Sequence, residues 1–205
     1  MSTPHAITTL DQLKLLFDTV GEAALRKETA SLPAVYRRWI EASPFVVLAT
    51  SGPDGLDASP RGDPAGFVVV ENEKSLLLPE RRGNNRIDSL RNILADPRVA
   101  LLFFIPGVGE TLRVNGRGSI STDPALMDRL AIDDKRPRCV LRISVETAFF
   151  QCARAMQRSR LWSGPTATAA SVPTAGEMLQ ALTGGGIDGR HYDEELAARQ
   201  RATLY

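Results

Sequence analysis

Short apolar, β-branched runs separated by turn residues dominate the middle of the chain, and they limit what it can fold into. The runs are 45–51 (FVVLATS), 66–70 (GFVVV), 75–79 (SLLLP), 98–105 (RVALLFFI), 111–121 (TLRVNGRGSIS) and 138–150 (RCVLRISVETAFF). Each has the length and composition of a strand. Because most connections are short, the strands are expected to pair antiparallel. The pattern predicts a mainly β (α+β) fold, a six-stranded antiparallel barrel or Greek-key sheet.

Helical patterns lie at both ends of the chain and between the strands. One helix is predicted over 9–27, where Thr9 and Gln12 fit a capping box, and a second from Pro33 to Ser43. Short peripheral helices are predicted over 87–97, 123–130 and 151–162. The segment 163–190, rich in Ala, Thr, Gly and Pro, is predicted to be a loop around one helix over 177–182. Gly116 and Gly118, inside a strand pattern, predict a bulge or a close chain approach.

The length of 205 residues suits one structural domain with terminal additions. We expect three parts within it. Residues 1–43 form a helical extension packed on the barrel, residues 44–162 form the barrel itself, and residues 163–205 form a C-terminal loop and helical tail.

Composition argues against several classes of function. Lys+Arg (25) and Asp+Glu (24) nearly balance, so any anion site must be local. The two cysteines and two histidines lack zinc-site spacing, and neither histidine is well placed to activate a nucleophile. No stretch is apolar enough to span a bilayer, and the N-terminus lacks a signal-peptide pattern. We expect a cytoplasmic protein without metal or membrane contact, in which a cofactor performs any chemistry.

Three basic, glycine-containing segments border the predicted strands: 59–63 (SPRGD), 81–86 (RRGNNR) and 111–118 (TLRVNGRG). Guanidinium groups are forked donors for phosphate, and a helix N-terminus adds free N–H groups. The candidate donors are Arg61, Arg81, Arg82, Asn84, Asn85, Arg86, Ser89, Arg113 and Arg117. The alternative is that the arginines are solvated charges, or are paired with Glu80, Asp63 and Asp88. Nucleic acid is disfavoured, since the aromatic residues mostly lie inside apolar runs.

Four pieces of the chain, in this order, resemble the FMN-binding split-barrel superfamily typified by pyridoxamine 5′-phosphate oxidase. They are FVVLATSGPDGLDASPRGDPAGFV, LLLPERRGNNRIDSLRNILADPRVALLFF, ETLRVNGRGSIS and AFFQCARAMQRSRLW, within residues 44–162. The resemblance implies a six-stranded split β-barrel that forms a homodimer, with FMN in each of two clefts between the subunits.

The resemblance also implies roles for individual residues. Arg61 approaches the FMN, and Asn84, Asn85, Arg86 and Ser89 grip its phosphate. Glu110, Thr111 and Arg113 reach the flavin from the partner subunit, and Arg158 and Trp162 approach the flavin ring. Arg113 and Arg158 are the candidates for stabilising reduced flavin.

Two departures from the oxidase pattern argue against pyridoxamine phosphate as the substrate. A longer RRGNNRIDS replaces the compact Ser-Arg-Lys phosphate clamp, and Gly189-Arg190-His191 only faintly echoes the C-terminal Arg-x-His signature. The expected function is an FMN-dependent oxidoreductase acting on a small organic substrate, with NAD(P)H as one candidate electron donor. The alternative is a non-catalytic flavin- or haem-binding carrier or sensor of the same fold.

Overall fold

The computed structural model describes residues 5–164 and 171–205. Its strands are β1 (Phe45–Gly52), β2 (Gly55–Gly62), β3 (Val69–Asn72), β4 (Ser75–Glu80), β5 (Arg98–Phe104), β6 (Thr111–Ser121) and β7 (Cys139–Gln151). Its helices are α1 (Leu10–Lys14), α2 (Glu22–Arg26), α3 (Ala34–Ala42), α4 (Asp88–Ala95), α5 (Pro124–Arg129), α6 (Arg154–Ser159), α7 (Ala175–Leu182) and α8 (Gly189–Ala202). The predicted class, antiparallel β with N-terminal and peripheral helices, is confirmed.

The strands form one antiparallel sheet in the order β2-β1-β5-β6-β7-β4-β3. Four strands separate β2 from β4 in this order, yet Arg61 of β2 and Glu80 of β4 form an ion pair with 3.0 Å between Nε and Oε2. The sheet therefore curls until these two strands approach without backbone pairing. The opening between them is the split of the barrel.

The core fills the inside of the curled sheet with aliphatic side chains and three aromatic rings, those of Tyr36, Phe67 and Phe103. Leu48, Leu101, Phe103, Leu112 and Ile143 are fully or almost fully buried there. Helix α3 adds Tyr36 and Ile40, and α4 adds Ile93, each from its apolar face. Burial of each large apolar side chain contributes about 1.5–3 kcal/mol relative to exposure, so this cluster holds both helices against the sheet.

The sheet has seven strands, whereas six were predicted. The extra strand is β2, whose sequence lacks the apolar pattern of the other strands. Its sequence, GLDASPRG, lacks alternating apolar residues, and its side chains are exposed or half-buried. β2 lies at the edge of the sheet and pairs only with β1, so it tolerates Pro60 and polar residues on both faces.

The predicted helix over 9–27 is wrong as a single element. The capping box of Thr9 and Gln12 is present, but α1 ends at Lys14, and α2 does not begin until Glu22. Thr19, Val20 and Gly21 have low helix propensity, and neither helix buries a side chain that would offset this cost. The helix predicted over 177–182 is confirmed as α7, while residues 165–170 of the predicted loop lie outside the described residues.

Gly116 marks a close approach inside the sheet, as its position in a strand pattern predicts. The β6–β7 register shifts between Asn115 and Gly116, so this is a bulge. A Cβ at Gly116 would lie 2.1 Å from the backbone oxygen of Ser144, which cannot rotate away.

We expect Gly116→Ala to lower the free energy of unfolding by about 1–3 kcal/mol, the usual cost of overpacking a well-packed site. Urea unfolding followed by circular dichroism measures the change. Gly83→Ala is the matched control, since nothing lies within 4 Å of a Cβ at that position. Equal stability of the two variants would contradict the close approach.

Candidate functional site

A cavity of about 490 Å³ opens between the end of β2 and the loop that connects β4 to α4. We call it the β2–α4 pocket. Its walls are residues 57 and 59–62 of β2, Phe67, residues 79–90 and Arg138. The volume lies in the range of small-molecule and cofactor sites.

Arg61 crosses the opening of the barrel and is held by four hydrogen bonds. Its Nε donates to Glu80 Oε2 (3.0 Å), its Nη1 to Ser59 Oγ (2.9 Å) and to the Pro60 carbonyl (3.0 Å), and its Nη2 to Ser89 Oγ (3.3 Å). The side chains of Arg61 and Glu80 are only 17% and 18% exposed. The guanidinium is therefore fixed in the wall of the pocket before any ligand arrives.

Two hydroxyl groups and a carboxylate continue this network. The Oγ atoms of Ser59 and Ser89 lie 2.8 Å apart, and Ser89 donates to Asp57 Oδ2 at 2.5 Å. Asp57, Ser59 and Arg61 alternate along β2, so their side chains share one face of the strand. Sequence reasoning missed Asp57 and Ser59; recognising 55–62 as a strand would have placed both beside Arg61.

The loop over 81–87 turns sharply to point α4 at the pocket. Asn84 Oδ1 accepts a hydrogen bond from the backbone N–H of Arg86 at 3.1 Å. Asn85 and Ile87 both adopt left-handed backbone conformations (φ 60° and 55°), which is unusual for a β-branched residue. Ile87 precedes the first turn of α4 and supplies no side-chain cap, so the first N–H groups of this helix are free for a ligand.

Arg86 lies at the mouth of the pocket with its side chain 74% exposed. Its Nε donates to Asp88 Oδ2 at 2.7 Å, and this bond raises the pKa of Arg86 and lowers the pKa of the Asp88 carboxyl. Arg91 donates to the other oxygen of Asp88 at 2.5 Å. Asp88 therefore stays ionised and offsets part of the positive charge at this helix N-terminus.

Arg81, at the start of the loop over 81–87, is held by the buried carboxylate of Asp63. Its Nε donates to Asp63 Oδ2 at 2.8 Å, while its Nη1 is buried and has no hydrogen-bond acceptor among the described residues. The exposed Arg82 makes no side-chain hydrogen bond or ion pair within the described part of the chain.

The arginines and carboxylates in the wall leave the β2–α4 pocket with a net positive charge. Five arginines and three carboxylates line it, a net charge of +2. Pairing of the arginines with carboxylates, the alternative to free phosphate donors, is found for three of them. Arg61, Arg81 and Arg86 each contact a carboxylate. Forked donors, two hydroxyls, a free helix N-terminus and a surplus of positive charge suit a phosphate dianion.

The other candidate residues lie away from this pocket. In the strand register, Glu80 lies opposite Cys139 at the start of β7, whereas Thr111 lies opposite Gln151 at its end. The residues of the β2–α4 pocket and the remaining candidate residues therefore lie at opposite ends of β7. At the far end lie Glu110, Thr111, Arg113, Arg158 and Trp162, none of which lines the β2–α4 pocket. One chain does not bring the two groups together.

Thr111, Arg113 and Trp162 of the far group have defined side-chain contacts to other elements, and Thr111 Oγ1 donates to Gln151 Oε1 at 3.1 Å. The guanidinium of Arg113 stacks on the ring of Phe149, 4.2 Å from its centroid, and its Nε is buried without an acceptor in the described residues. Trp162 Nε1 donates to the carbonyl of Val108 at 2.8 Å. The orphaned Nε of Arg113 is a donor that a bound molecule can use.

Within residues 5–164 and 171–205, no group of three or more His, Cys, Asp or Glu side chains is placed to hold a metal ion. No helix in the same ranges has the length and hydrophobicity needed to cross a membrane. His191 lies exposed on α8, with its Nε2 3.4 Å from Glu195.

The curled antiparallel sheet with peripheral helices defines a split-barrel type of protein. The family model described as pyridoxamine 5′-phosphate oxidase matches residues 32–152, more than half of the chain, and the chain belongs to that family. The chain has no significant match among curated proteins.

Solved structures from three bacteria are similar to the chain. HupZ from Group A Streptococcus is 20% identical, with 57% of this chain and 90% of that one covered, at a TM-score of 0.46. A putative pyridoxamine 5′-phosphate oxidase from Lactobacillus delbrueckii is 21% identical, with 59% and 95% covered, at 0.45. An FMN-binding protein from Syntrophomonas wolfei is 10% identical, with 68% and 91% covered, at 0.43.

Proposed function

We propose that the protein is a homodimeric, FMN-dependent oxidoreductase that exchanges hydride or electrons with a small organic substrate. The observation that carries this proposal is the β2–α4 pocket, which combines fixed guanidinium groups, two hydroxyls and the free N-terminus of α4 at the open edge of a family-typical barrel. A terminal phosphate is the group of FMN that such a site recognises.

The residues present fit FMN in two separate places. Arg61, Arg86, Ser59 and Ser89 would hold the phosphate in the β2–α4 pocket. Arg113, with its unpaired buried Nε, would donate to the ring from the partner subunit, and Trp162 and Arg158 would border the same region. When bound, FMN supplies the redox chemistry, and the protein contributes binding, orientation and exclusion of water.

No histidine lines the pocket among the described residues, and hydride transfer does not require a general acid–base pair. The described histidines are exposed and lie outside the pocket, on α8 and near the N-terminus. An imidazole ligand for haem is therefore absent from the pocket, and we favour a flavin over haem as the cofactor.

The purified protein is expected to be yellow, or to become so on addition of FMN. Visible absorption of the dialysed protein tests binding, and flavin reduction by NAD(P)H with and without a panel of small oxidants tests turnover. A protein that binds FMN but supports no electron transfer would be a carrier or sensor. A protein that retains no FMN absorbance after FMN is added and the excess is removed by dialysis would overturn the proposal.

We expect Arg86→Ala to weaken FMN binding by about tenfold or more, because a hydrogen bond to a charged group contributes about 1.5–3 kcal/mol. Quenching of FMN fluorescence measures the dissociation constant. Arg91→Ala is the matched control, since Arg91 contacts the same Asp88 carboxylate but does not line the pocket. An equal loss of FMN affinity in both variants would show that Arg86 acts only through Asp88.

A further inference from the structure

A second cavity, of about 240 Å³, lies next to the β2–α4 pocket and shares part of its wall. Its lining is Arg81, Arg82, Lys135, Arg136, Arg138 and Tyr205, and we call it the basic pocket. Arg81, Arg82 and Arg138 line both cavities, so the two are contiguous. All five charged side chains in the lining are positive.

The fold brings these charges together from two connections at the same end of the barrel. Residues 81–82 follow β4 and residues 135–138 precede β7, and β4 and β7 are neighbouring strands. A bridge between Ile132 and Lys135 and left-handed backbone at Asp133 and Asp134 form the turn that leads into the second basic run. The Arg138 N–H donates to the Glu80 carbonyl at 3.0 Å, which fixes the two connections side by side.

Two of the five positive side chains have a carboxylate partner among the described residues. The hydrogen bond to Asp63, burial and the nearby charges of Asp63 and Asp133 raise the pKa of the Tyr205 hydroxyl. Arg136 contacts Asp128, and Arg81 contacts Asp63 through Nε alone. The side chains of Arg82, Lys135 and Arg138 make no ion pair within the described ranges. Like charges held this close repel each other unless an anion lies between them. A bound anion would relieve this repulsion.

The buried guanidinium of Arg81 is only partly hydrogen-bonded. Its Nη1 is buried and lacks an acceptor among the described residues, although its side chain is only 15% exposed. A buried donor left unsatisfied costs about 1–3 kcal/mol, and more when the group is charged. The ring of Tyr205 lies 5.9 Å from the Arg81 guanidinium, and the Tyr205 hydroxyl donates to Asp63 at 2.6 Å. Both carboxylate oxygens of Asp63 are therefore engaged, and Nη1 of Arg81 has no partner among the described residues.

We propose that the basic pocket binds a second phosphoryl group, beside the one that the β2–α4 pocket holds. This inference uses the proposed function only in assigning the first group to FMN. The second group has two sources: the second phosphate of a flavin dinucleotide such as FAD, or a separate phosphorylated molecule bound next to the flavin. The recognition chemistry, forked guanidinium donors and an ammonium group, is the same for both.

Calorimetric titration with inorganic diphosphate at low salt tests the site without any flavin. Lys135→Gln/Arg136→Gln alters the two basic lining residues that the basic pocket does not share with the β2–α4 pocket, and it is expected to weaken diphosphate binding by about tenfold. Lys14→Gln/Arg26→Gln is the control, since it removes the same charge from the exposed helices α1 and α2. Absence of diphosphate binding to the wild type, or equal binding to all three proteins, would overturn the proposal.

Titration with FMN and FAD then separates the two sources. If the second phosphate belongs to a dinucleotide, Lys135→Gln/Arg136→Gln weakens FAD binding by about tenfold and leaves FMN binding within about twofold. If it belongs to a separate molecule, inorganic phosphate binds to the FMN-saturated wild type and not to the variant. Diphosphate binding in a protein that ignores FMN would contradict the proposed function while supporting the basic pocket.

Discussion

Asp63→Ala is expected to lower the free energy of unfolding by about 3–5 kcal/mol, the usual cost of removing one partner of a buried ion pair. The Asp63 side chain is 1% exposed, and that of Arg81 is 15% exposed. One carboxylate oxygen accepts from Arg81 Nε at 2.8 Å, and the other accepts from the Tyr205 hydroxyl at 2.6 Å. Without Asp63, the Arg81 guanidinium would stay buried with no carboxylate partner.

Urea unfolding at neutral pH measures this change, and two further variants identify its cause. Asp128→Ala breaks an exposed ion pair with Arg136 and is expected to cost less than about 1 kcal/mol. Tyr205→Phe removes a single hydrogen bond to Asp63 and is expected to cost about 1 kcal/mol. A loss in Asp63→Ala no larger than that in Asp128→Ala would mean that water reaches Arg81 freely.

The strands with regular apolar residues could be predicted because burial on the inner face leaves its pattern in the sequence. Residues 45–51, 98–105, 111–121 and 138–150 correspond to β1, β5, β6 and β7 within one or two residues. β2 carries no such pattern, because an edge strand buries little and its polar residues line a site instead. The missed strand therefore contains Asp57 and Ser59, two of the site residues that the sequence did not predict.

The N-terminal error has a related cause. The spacing of these five residues fits one face of a helix, but all of their side chains are exposed: Leu13, Leu16, Phe17, Val20 and Ala24. Without tertiary packing, local propensity decides, and the chain leaves the helical conformation before Gly21. Periodicity predicts a helix only where a partner surface exists to bury the apolar face.

The candidate site was predictable as a set of residue types but not as a set of charges. Seven of the predicted residues, Arg61, Arg81, Arg82, Asn84, Asn85, Arg86 and Ser89, line the β2–α4 pocket. Sequence could not decide which arginines pair with Glu80, Asp63 and Asp88, because two of these contacts join residues 18 or 19 positions apart. After this pairing the lining of the β2–α4 pocket keeps a net charge of +2. That charge favours binding of one dianion over binding of a polyanion such as nucleic acid.

Heterodimers of two defective chains are expected to recover one FMN site. Arg61 lines the β2–α4 pocket, whereas Arg113 lies at the far end of the barrel, and one chain does not bring them together. If FMN spans two subunits, Arg61→Met and Arg113→Met homodimers each lose both sites. The mixed dimer retains one site with both arginines, because a dimer with two-fold symmetry repeats the same interface site twice.

Co-expression with two different affinity tags isolates the mixed dimer, and bound FMN per dimer is measured by absorbance near the wild-type dissociation constant. The expected flavin content is about half that of the wild type, against almost none in either homodimer. A dimer of an Arg61→Met/Arg113→Met chain with a wild-type chain serves as the control: each of its two interface sites lacks one arginine, so almost no FMN is expected to bind. If each FMN site were instead built within one chain, both sites of the Arg61→Met and Arg113→Met mixed dimer would be defective, and the control dimer would keep one intact site. Sites between subunits and sites within one subunit therefore give opposite results.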